Sequence, residues 1–192
     1  MAQMLFRRRA CNMVAIFMAA TIIFQRRRDK KPKQAEHMLI RKFKPGEEAE
    51  LWHLFHESVH HISTELYTSE QLLAWSPHQI DAEKWRARMH GIAPFVVEHE
   101  KKLIAYADVQ GSGYVDHFFV HHQWQRRGIG NLLMQILVEV AKQDEVARLF
   151  SDVSLAARPF FEHWGFTVER EQRVKIGQEV LKNFRMTREL LH

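Results

Sequence analysis

The 192-residue chain predicts a mixed α/β fold, in which one sheet is covered by helices. Seven segments are rich in β-branched and aromatic residues and are bounded by turn residues, as strands are. Between them, apolar residues recur at steps of three and four, which is the period of a helix. Strand-rich stretches with three helical crossings are typical of a mixed α/β sheet. The hydrophobic content of 46% is enough for a core.

The first part of this predicted domain holds one strand and three helices. Residues 39–44 alternate between apolar and polar and predict a strand. A helix is predicted over 47–61, where five apolar residues share one face: Leu51, Leu54, Phe55, Val59 and Ile62. Thr68 begins a second, short helix, because its hydroxyl can accept from the first N–H groups. A third helix is predicted over 81–90.

The second part is richer in strands and contains one long helix. Its strands are predicted over 94–98, 103–109, 114–120, 146–152, 166–174 and 180–187. A short helix is predicted over 155–164. The long helix, over 129–141, is indicated by a single apolar stripe made of Ile129, Leu132, Leu133, Ile136, Leu137, Val140 and Ala141.

The turn that opens the long helix predicts an anion-binding site. The first N–H groups of a helix have no partner within it, and the helix dipole adds partial positive charge there. Gly128 and Gly130 carry no side chain that would keep a ligand off the backbone. Arg126 and Arg127 add fixed charge and donors suited to phosphate. A pyrophosphate fits this arrangement.

Two common phosphate-binding patterns are excluded here. The dinucleotide pattern G-x-G-x-x-G fails because Leu133 stands at the third glycine, and the P-loop fails because no Gly-Lys-Ser/Thr follows. Residues 125–130, QRRGIG, fit Q/R-x-x-G-x-G/A, which resembles the acetyl-CoA site of the GNAT superfamily of N-acyltransferases. Residues 154–166, SLAARPFFEHWGF, resemble the other GNAT signature, a polar residue ending the fifth strand and then A-x-x-F-Y-E-x-x-G-F.

The resemblance covers residues 38–190 and implies the GNAT fold and its cofactor site. That fold is a mostly antiparallel seven-stranded sheet, splayed between strands 4 and 5, with the pantetheine arm of acetyl-CoA in the gap. Backbone groups of Phe118 and Val120 would pair with the pantetheine amides, and Ser154 would face the cofactor. The pyrophosphate would lie on Arg126, Arg127, Gly128, Ile129, Gly130 and Asn131. Phe161 stands at a cofactor-contacting position.

By the same resemblance, the chain is expected to be an acetyl-CoA-dependent N-acetyltransferase. The acceptor, a small-molecule or peptide amine, would attack the thioester directly. Tyr114 and Asp116 match positions that act as base in relatives, and strand alternation places them on the face of Phe118 with His117 opposite unless a bulge intervenes. A purely structural Asp116 remains the alternative. Relatives often carry a tyrosine, thought to protonate the thiolate, where this chain has Phe161, which has no proton to give.

Because Phe161 cannot protonate the thiolate, two further expectations stay open. A water held by Tyr114 or Ser154 is the candidate donor to the thiolate. A binding module that kept the acetyl-CoA site and lost catalysis is the first alternative function.

The first predicted helix carries a rival motif. His56, Glu57 and His60 read H-E-x-x-H, the pattern of zinc metalloproteases. The extended zinc pattern fails because Ser63 and Leu66 stand where glycine and histidine are needed. We therefore expect no metal, with a zinc hydrolase as the second alternative. The other interpretations are a solvated histidine-rich face, or an acceptor pocket whose wall includes His60, His61, Tyr67 and Trp75.

Residues 1–37 differ in composition from the rest. They hold nine Lys/Arg and two Asp/Glu, a net charge of +7, whereas the remaining residues carry −2. The basic pI therefore belongs to this extension, and the domain over 38–192 gives no reason to expect nucleic acid as a partner. Cys11 is the sole cysteine, so no internal disulfide forms, and a reducing, cytoplasmic compartment is compatible.

The extension also contains an apolar run over 10–24 between two arginine clusters. A bilayer span takes about 20 apolar residues, so this run is short. It resembles a signal peptide in length but lacks an A-x-A site. Three interpretations stay open: a membrane-surface anchor through residues 7–28, a marginal signal anchor, or an extension upstream of the natural start. The last is favoured because Met38 begins a complete strand.

Overall fold

The structure is a computed structural model that describes residues 20–23 and 37–190, which form nine strands and five α-helices. The strands are β1 (Ala20–Ile23), β2 (His37–Lys42), β3 (Phe95–His99), β4 (Lys102–Ala107), β5 (Tyr114–Val115), β6 (Phe118–Val120), β7 (Arg148–Ser154), β8 (Thr167–Ile176) and β9 (Glu179–Glu189). The helices are α1 (Glu48–His60), α2 (Ser69–Trp75), α3 (Ala82–Ile92), α4 (Ile129–Gln143) and α5 (Arg158–His163), with a 3₁₀ turn at His122–Trp124.

The strands form two sheets. One has the order β1-β2-β3-β4-β6 and is antiparallel throughout. The other has the order β5-β7-β9-β8, in which only β5 and β7 are parallel. The predicted mixed α/β class with antiparallel sheets flanked by helices is confirmed.

The strand predicted over 114–120 is broken in two. Its first part, β5, pairs with β7, whereas its second part, β6, pairs with β4 in the other sheet. The chain changes sheet at Asp116 and His117, because one strand cannot follow two sheets that part. The strand count therefore differs from the seven expected, and the gap between β6 and β7 is where the two sheets separate.

Two apolar clusters cover the two faces of the sheets. The α4-side cluster packs α4 and α5 on one face, with Leu133, Leu137 and Phe161 at its centre. The α1-side cluster packs the first three helices on the other face, around Leu51 and Tyr106. Strand β3 shows why both exist, since its successive side chains enter opposite clusters.

Local sequence accounts for where the helices begin. Thr68 forms a capping box with Gln71 at the start of α2, and Asp81 accepts from two backbone N–H groups of α3 at 3.1 Å. The predicted stripe of α4 is buried or half-buried as expected, and Met134 and Val138 extend it. The stripe packs α4 against β3, β4 and β6.

The predicted extension lies mostly outside the described residues, including the arginine clusters at 7–9 and 26–28. Strand β1 lies within that extension and pairs with β2, with Ala20 opposite Ile40 and Ile23 opposite His37. The boundary at residue 38 stays a prediction. None of the helices formed by the described residues has the length and apolar character needed to cross a membrane.

Candidate active site

The outer edge of β6 faces the gap between the sheets. The His117 carbonyl accepts the N–H of Asp108, just after β4, at 3.1 Å, and the His121 N–H donates to Ile104 of β4 at 2.9 Å. Because peptide groups alternate between the two edges of a strand, the N–H and C=O groups of Phe118 and Val120 point into the gap. The Val120 carbonyl also accepts from Gln125 Nε2 at 3.2 Å, so the turn before α4 is fastened to this edge.

The N-terminus of α4 points its unbonded N–H groups toward the same gap. Gly128 is the N-cap with φ +87°, a left-handed conformation that favours glycine. The first bond within the helix runs from the Leu132 N–H to the Gly128 carbonyl at 3.1 Å. The N–H groups of Ile129, Gly130 and Asn131 therefore precede that bond and, with the helix dipole, form an anion-binding surface.

Close packing surrounds this helix end. A Cβ at Gly130 would lie 3.2 Å from the Phe160 ring, so a side chain there would enter occupied space or the gap. Arg126, at φ +61°, lines the gap. The guanidinium of Arg127 instead lies 4.7 Å from the Trp124 ring centre, outside the lining. The structure thus brings one of the two predicted arginines to the site.

Two cavities meet at the gap. The cofactor cleft, of about 830 Å³, contains most of the predicted cofactor positions: Phe118, Val120, Arg126, Gly128, Gly130, Asn131 and Ser154. Ile129 is not part of the lining, and its side chain is buried in the α4-side cluster. The aromatic cavity, of about 550 Å³, lies on the other side of Phe118 and Ser154, which line both.

The walls of the aromatic cavity come from α1, α2, α3, the strand break, β7 and the β8–β9 hairpin. Its aromatic walls are Trp52, Phe55, Trp75, Trp85 and Phe119, and its polar lining includes Arg88, Tyr114, Asp116, His117 and Asp152. Large apolar walls with a few convergent polar groups are the usual character of a small-molecule site.

A chain of contacts holds Asp116 at the strand break. Arg88 Nη2 donates to the Asp116 carboxylate at 2.5 Å, and Arg88 Nε donates to His117 Nε2 at 2.9 Å. Burial, followed by the charge of Arg88, lowers the pKa of His117 to about 3, so this ring is neutral. Because Nε2 accepts, Nδ1 carries the proton and donates to the Tyr106 hydroxyl at 2.9 Å.

Asp108 fixes the same break from inside the fold. Its carboxylate accepts the His117 backbone N–H at 2.6 Å and is fully buried. Burial raises the pKa of Asp108 to about 6, although the bond from His117 opposes that shift. The strand break is therefore held by a buried carboxyl group, and ionising that group costs free energy.

Tyr114 lies on the β7 side of the break. Its hydroxyl donates to Asp152 at 3.2 Å, and Arg185 Nη2 donates to the same carboxylate at 2.9 Å. Burial raises the pKa of Tyr114, so the phenol keeps its proton. The expected alternation does not run through the break, because Val115 rather than Tyr114 packs with Phe118 in the α4-side cluster.

Ser154 and Phe161 occupy different surroundings. Ser154 ends β7, its hydroxyl accepts the Ala157 N–H at 3.2 Å, and it lies where the two cavities meet. The ring of Phe161 is 2% exposed and packs edge-on against Phe118 and Phe166 at 5.8 and 5.0 Å. Phe161 therefore touches the aromatic cavity from within the core.

The structure places three of the four predicted acceptor residues at a cavity and one away from both. Trp75 lines both cavities and His61 lines the cofactor cleft. Tyr67 lines the aromatic cavity but is nearly buried, and its hydroxyl donates to a β9 carbonyl at 2.6 Å. His60 lines neither cavity, because its Nε2–H donates to the Ser76 carbonyl at 2.8 Å.

The three residues of the H-E-x-x-H motif do not converge on one point. The rings of His56 and His60 lie 4.2 Å apart, and both are bonded to Ser76. Glu57 points away from them and accepts from His121 Nε2 at 2.6 Å. The arrangement of a metalloprotease, two histidine ligands with a glutamate base beside them, is not assembled within the described residues.

Sequence reasoning missed Arg88 and Asp152 and placed His117 away from the site. Asp152 was findable, since it lies two residues before Ser154 on a strand and so shares its face. Arg88 was not, because α3 carries several charged residues and nothing in its pattern marks this one. His117 enters the cavity because the strand is broken beside it.

The chain is similar to known acetyltransferases over most of its length. A family model described as Acetyltransferase (GNAT) domain matches residues 63–189. The Uncharacterized N-acetyltransferase YafP of Escherichia coli (strain K12) is 28% identical over 147 residues, which cover 77% of this chain and 93% of that protein.

Two solved structures share the fold. A GCN5-related N-acetyltransferase from Rhodopseudomonas palustris, described as Aminotransferase, Class-II, has a TM-score of 0.75 and 26% identity over 79% of this chain and 94% of that one. The putative acetyltransferase yncA from Salmonella typhimurium, solved with its cofactor acetyl-CoA, has a TM-score of 0.59 and 18% identity over 81% of this chain and 95% of that one.

Proposed function

Because the chain belongs to the GNAT acetyltransferase family, we propose that it binds acetyl-CoA and transfers the acetyl group to the amine of a small molecule or peptide. The observation that carries this proposal is the meeting of two cavities at Phe118 and Ser154. One cavity ends at the unbonded N–H groups of α4, and the other has aromatic walls. A two-substrate reaction needs this arrangement, since its rate depends on holding both reactants in contact.

The cofactor would lie along the cleft with its pyrophosphate on the N-terminus of α4. The N–H groups of Ile129, Gly130 and Asn131 supply donors there, and Arg126 adds a positive charge. The pantetheine amides would pair with the open edge of β6. The thioester would then reach Ser154, where the cleft joins the aromatic cavity.

The acceptor amine would enter from the aromatic cavity and attack the thioester carbonyl. The apolar cavity walls suit an acceptor with an apolar body. The faces of the aromatic rings also attract the positive charge that the amine carries before it loses its proton. A neutral amine is the nucleophile, so a base must take its proton. Backbone N–H groups of β6 would stabilise the developing oxyanion.

Asp116 is the proposed base, acting directly or through a water. It lines the aromatic cavity, and its contact with Arg88 sets its orientation. Tyr114 is poorly suited to act as a base, because burial raises its pKa and the phenol keeps its proton. Phe161 cannot protonate the thiolate, so a water bound by Tyr114 or Ser154 is the proposed donor.

An acetyl-CoA-binding module without catalysis is the second candidate, favoured by Phe161 in place of a donor. Calorimetry with acetyl-CoA, followed by a panel of amines assayed for free CoA release, separates the two. We expect saturable binding and release of CoA with at least one amine that has an apolar body. Binding without turnover on the whole panel would favour the module, and an absence of binding would reject both.

A further inference from the structure

A cluster of metal-ligating side chains lies beside the cofactor cleft and outside the proposed reaction. Glu57 comes from α1, and His121 and His122 come from the link between β6 and α4. Each offers one ligand atom, and these atoms lie within 4.8 Å of one another. Glu57 Oε2 and His121 Nε2 are 2.6 Å apart, with Glu57 half exposed and His121 mostly covered.

His122 is the member whose hydrogen bonding is incomplete. Its Nδ1 is buried and, within the part of the chain whose side chains the structure describes, has no hydrogen-bond partner. Its ring stacks on His61 at 3.5 Å and almost parallel. An imidazole nitrogen without a hydrogen-bond partner is available to bind a metal ion.

We propose that Glu57, His121 and His122 bind a divalent transition-metal ion, with zinc as the ion that two imidazoles and a carboxylate suit best. Three protein ligands of these types leave a fourth position for water, as in known zinc sites. The carboxylate supplies the only formal charge among the three ligands, so a divalent cation complements them. This site does not depend on acetyl transfer, and it replaces the expectation of no metal.

Binding requires one rearrangement of a proton. His121 Nδ1 now accepts the Gln123 N–H at 3.3 Å, so Nε2 carries the ring proton and donates it to Glu57. With a metal on Nε2, the neutral ring carries its proton on Nδ1, and this long hydrogen bond is lost. The contact of Glu57 with His121 must also open, because two ligands of one zinc ion lie farther apart than 2.6 Å.

A metal here would tie two parts of the active site together. Glu57 belongs to the helix that forms one wall of the aromatic cavity, through Trp52 and Phe55. The two histidines lie in the link that leads to Gln125 and the anion-binding turn. An occupied site would fix the distance between the acceptor wall and the cofactor turn.

The test is zinc binding by the full chain with any affinity tag removed, measured by competition with a chromophoric chelator. We expect one zinc ion per chain. Removing a ligand should weaken binding by at least about tenfold, since even outer partners of metal ligands contribute that much. Glu57→Gln and His122→Ala should both show this loss, and Glu57→Gln keeps the size of a half-exposed side chain, so it should fold.

His60→Ala is the matched control, because it removes a histidine of the same helix that the cluster does not use. We expect it to keep wild-type zinc affinity, and circular dichroism should show all variants folded. The proposal is overturned if the wild-type chain binds no zinc, if Glu57→Gln and His122→Ala bind as tightly as wild type, or if His60→Ala loses the ion. None of these outcomes depends on acetyl-CoA turnover.

Discussion

The cofactor side and the acceptor side of the gap are built in opposite ways. The proposed cofactor side, which lines the cofactor cleft, uses mainly backbone groups of one stretch, from β6 to Asn131. The proposed acceptor side, which lines the aromatic cavity, uses side chains from α1, α2, α3, the strand break and β7, which are far apart in the chain. A backbone site can therefore be obstructed but not deleted by substitution, whereas a side-chain site can be removed one group at a time.

The two sides also differ in electrostatics. The cofactor side presents donors and Arg126 to an anion, and the Arg126 side chain lines the cleft. On the acceptor side the charges are paired, Asp116 with Arg88 and Asp152 with Arg185. Chemistry on this side therefore depends on keeping each pair in place.

Removing the carboxylate of Asp116 should have the largest effect. Asp116→Asn keeps the size of the side chain and removes the proposed base, so turnover should fall by about a hundredfold below neutral pH, with a shifted acidic limb of the pH–rate profile. Acetyl-CoA affinity should be unchanged, because the cofactor side lacks this residue. The measurement is initial rate against pH at saturating acetyl-CoA.

Asp144→Asn is the control for this variant, since Asp144 is exposed at the end of α4 and outside both cavities. It should keep the wild-type rate. A wild-type rate and pH profile for Asp116→Asn would make Asp116 structural and direct attention to the remaining polar groups of the aromatic cavity.

Obstructing the backbone site should have the next largest effect. Gly130→Glu places bulk and a carboxylate against the pyrophosphate position, so acetyl-CoA binding should weaken by at least about 2 kcal/mol, a factor of about 30. Calorimetry measures this change, and melting temperature checks the packing against Phe160. Gly91→Glu adds the same side chain to α3, where nothing lies within 4 Å, and should bind normally. Equal affinity in both folded variants would contradict the placement of the cofactor.

Neutralising the buried acid at the strand break should change stability by a smaller, pH-dependent amount. The folded pKa of Asp108, about 6, lies above the value near 4 of an unfolded chain. The contribution of the protonated Asp108 to the free energy of unfolding is therefore fully present below pH 4 and is lost as pH rises through 6. Asp108→Asn keeps an oxygen for the His117 N–H and carries no charge.

The melting temperature of Asp108→Asn relative to wild type should rise by a few degrees from pH 4 to pH 7, since about 1 kcal/mol corresponds to about 2–4 °C in a chain of this size. The lowered pKa of His117, about 3, has the opposite effect, because its contribution to folding stability is lost as pH falls. It is present in both proteins, so the difference isolates Asp108. A difference that is constant with pH would show that Asp108 is ionised without cost.

Sequence by itself determined the features whose partners lie close along the chain. The stripe of α4, the Thr68 cap and the turn at Gly128 were predicted because helix period, capping and left-handed backbone depend on neighbouring residues. Six of the seven predicted strands lie within a few residues of observed ones, since alternation and β-branched composition are also local, whereas β1 was not predicted and the strand over 114–120 is broken. Most of the residues that the GNAT resemblance named for the cofactor line one cleft.

Only the tertiary structure decided which distant groups meet. A strand's pattern does not name its partner, so the break at Asp116, where the chain leaves one sheet for the other, could not be read from 114–120. Helix spacing set His56 and His60 side by side, but packing turned Glu57 toward His121, 64 positions away. The acceptor side depends on such long-range contacts, because its side chains come from elements that fold into contact only when both apolar clusters form.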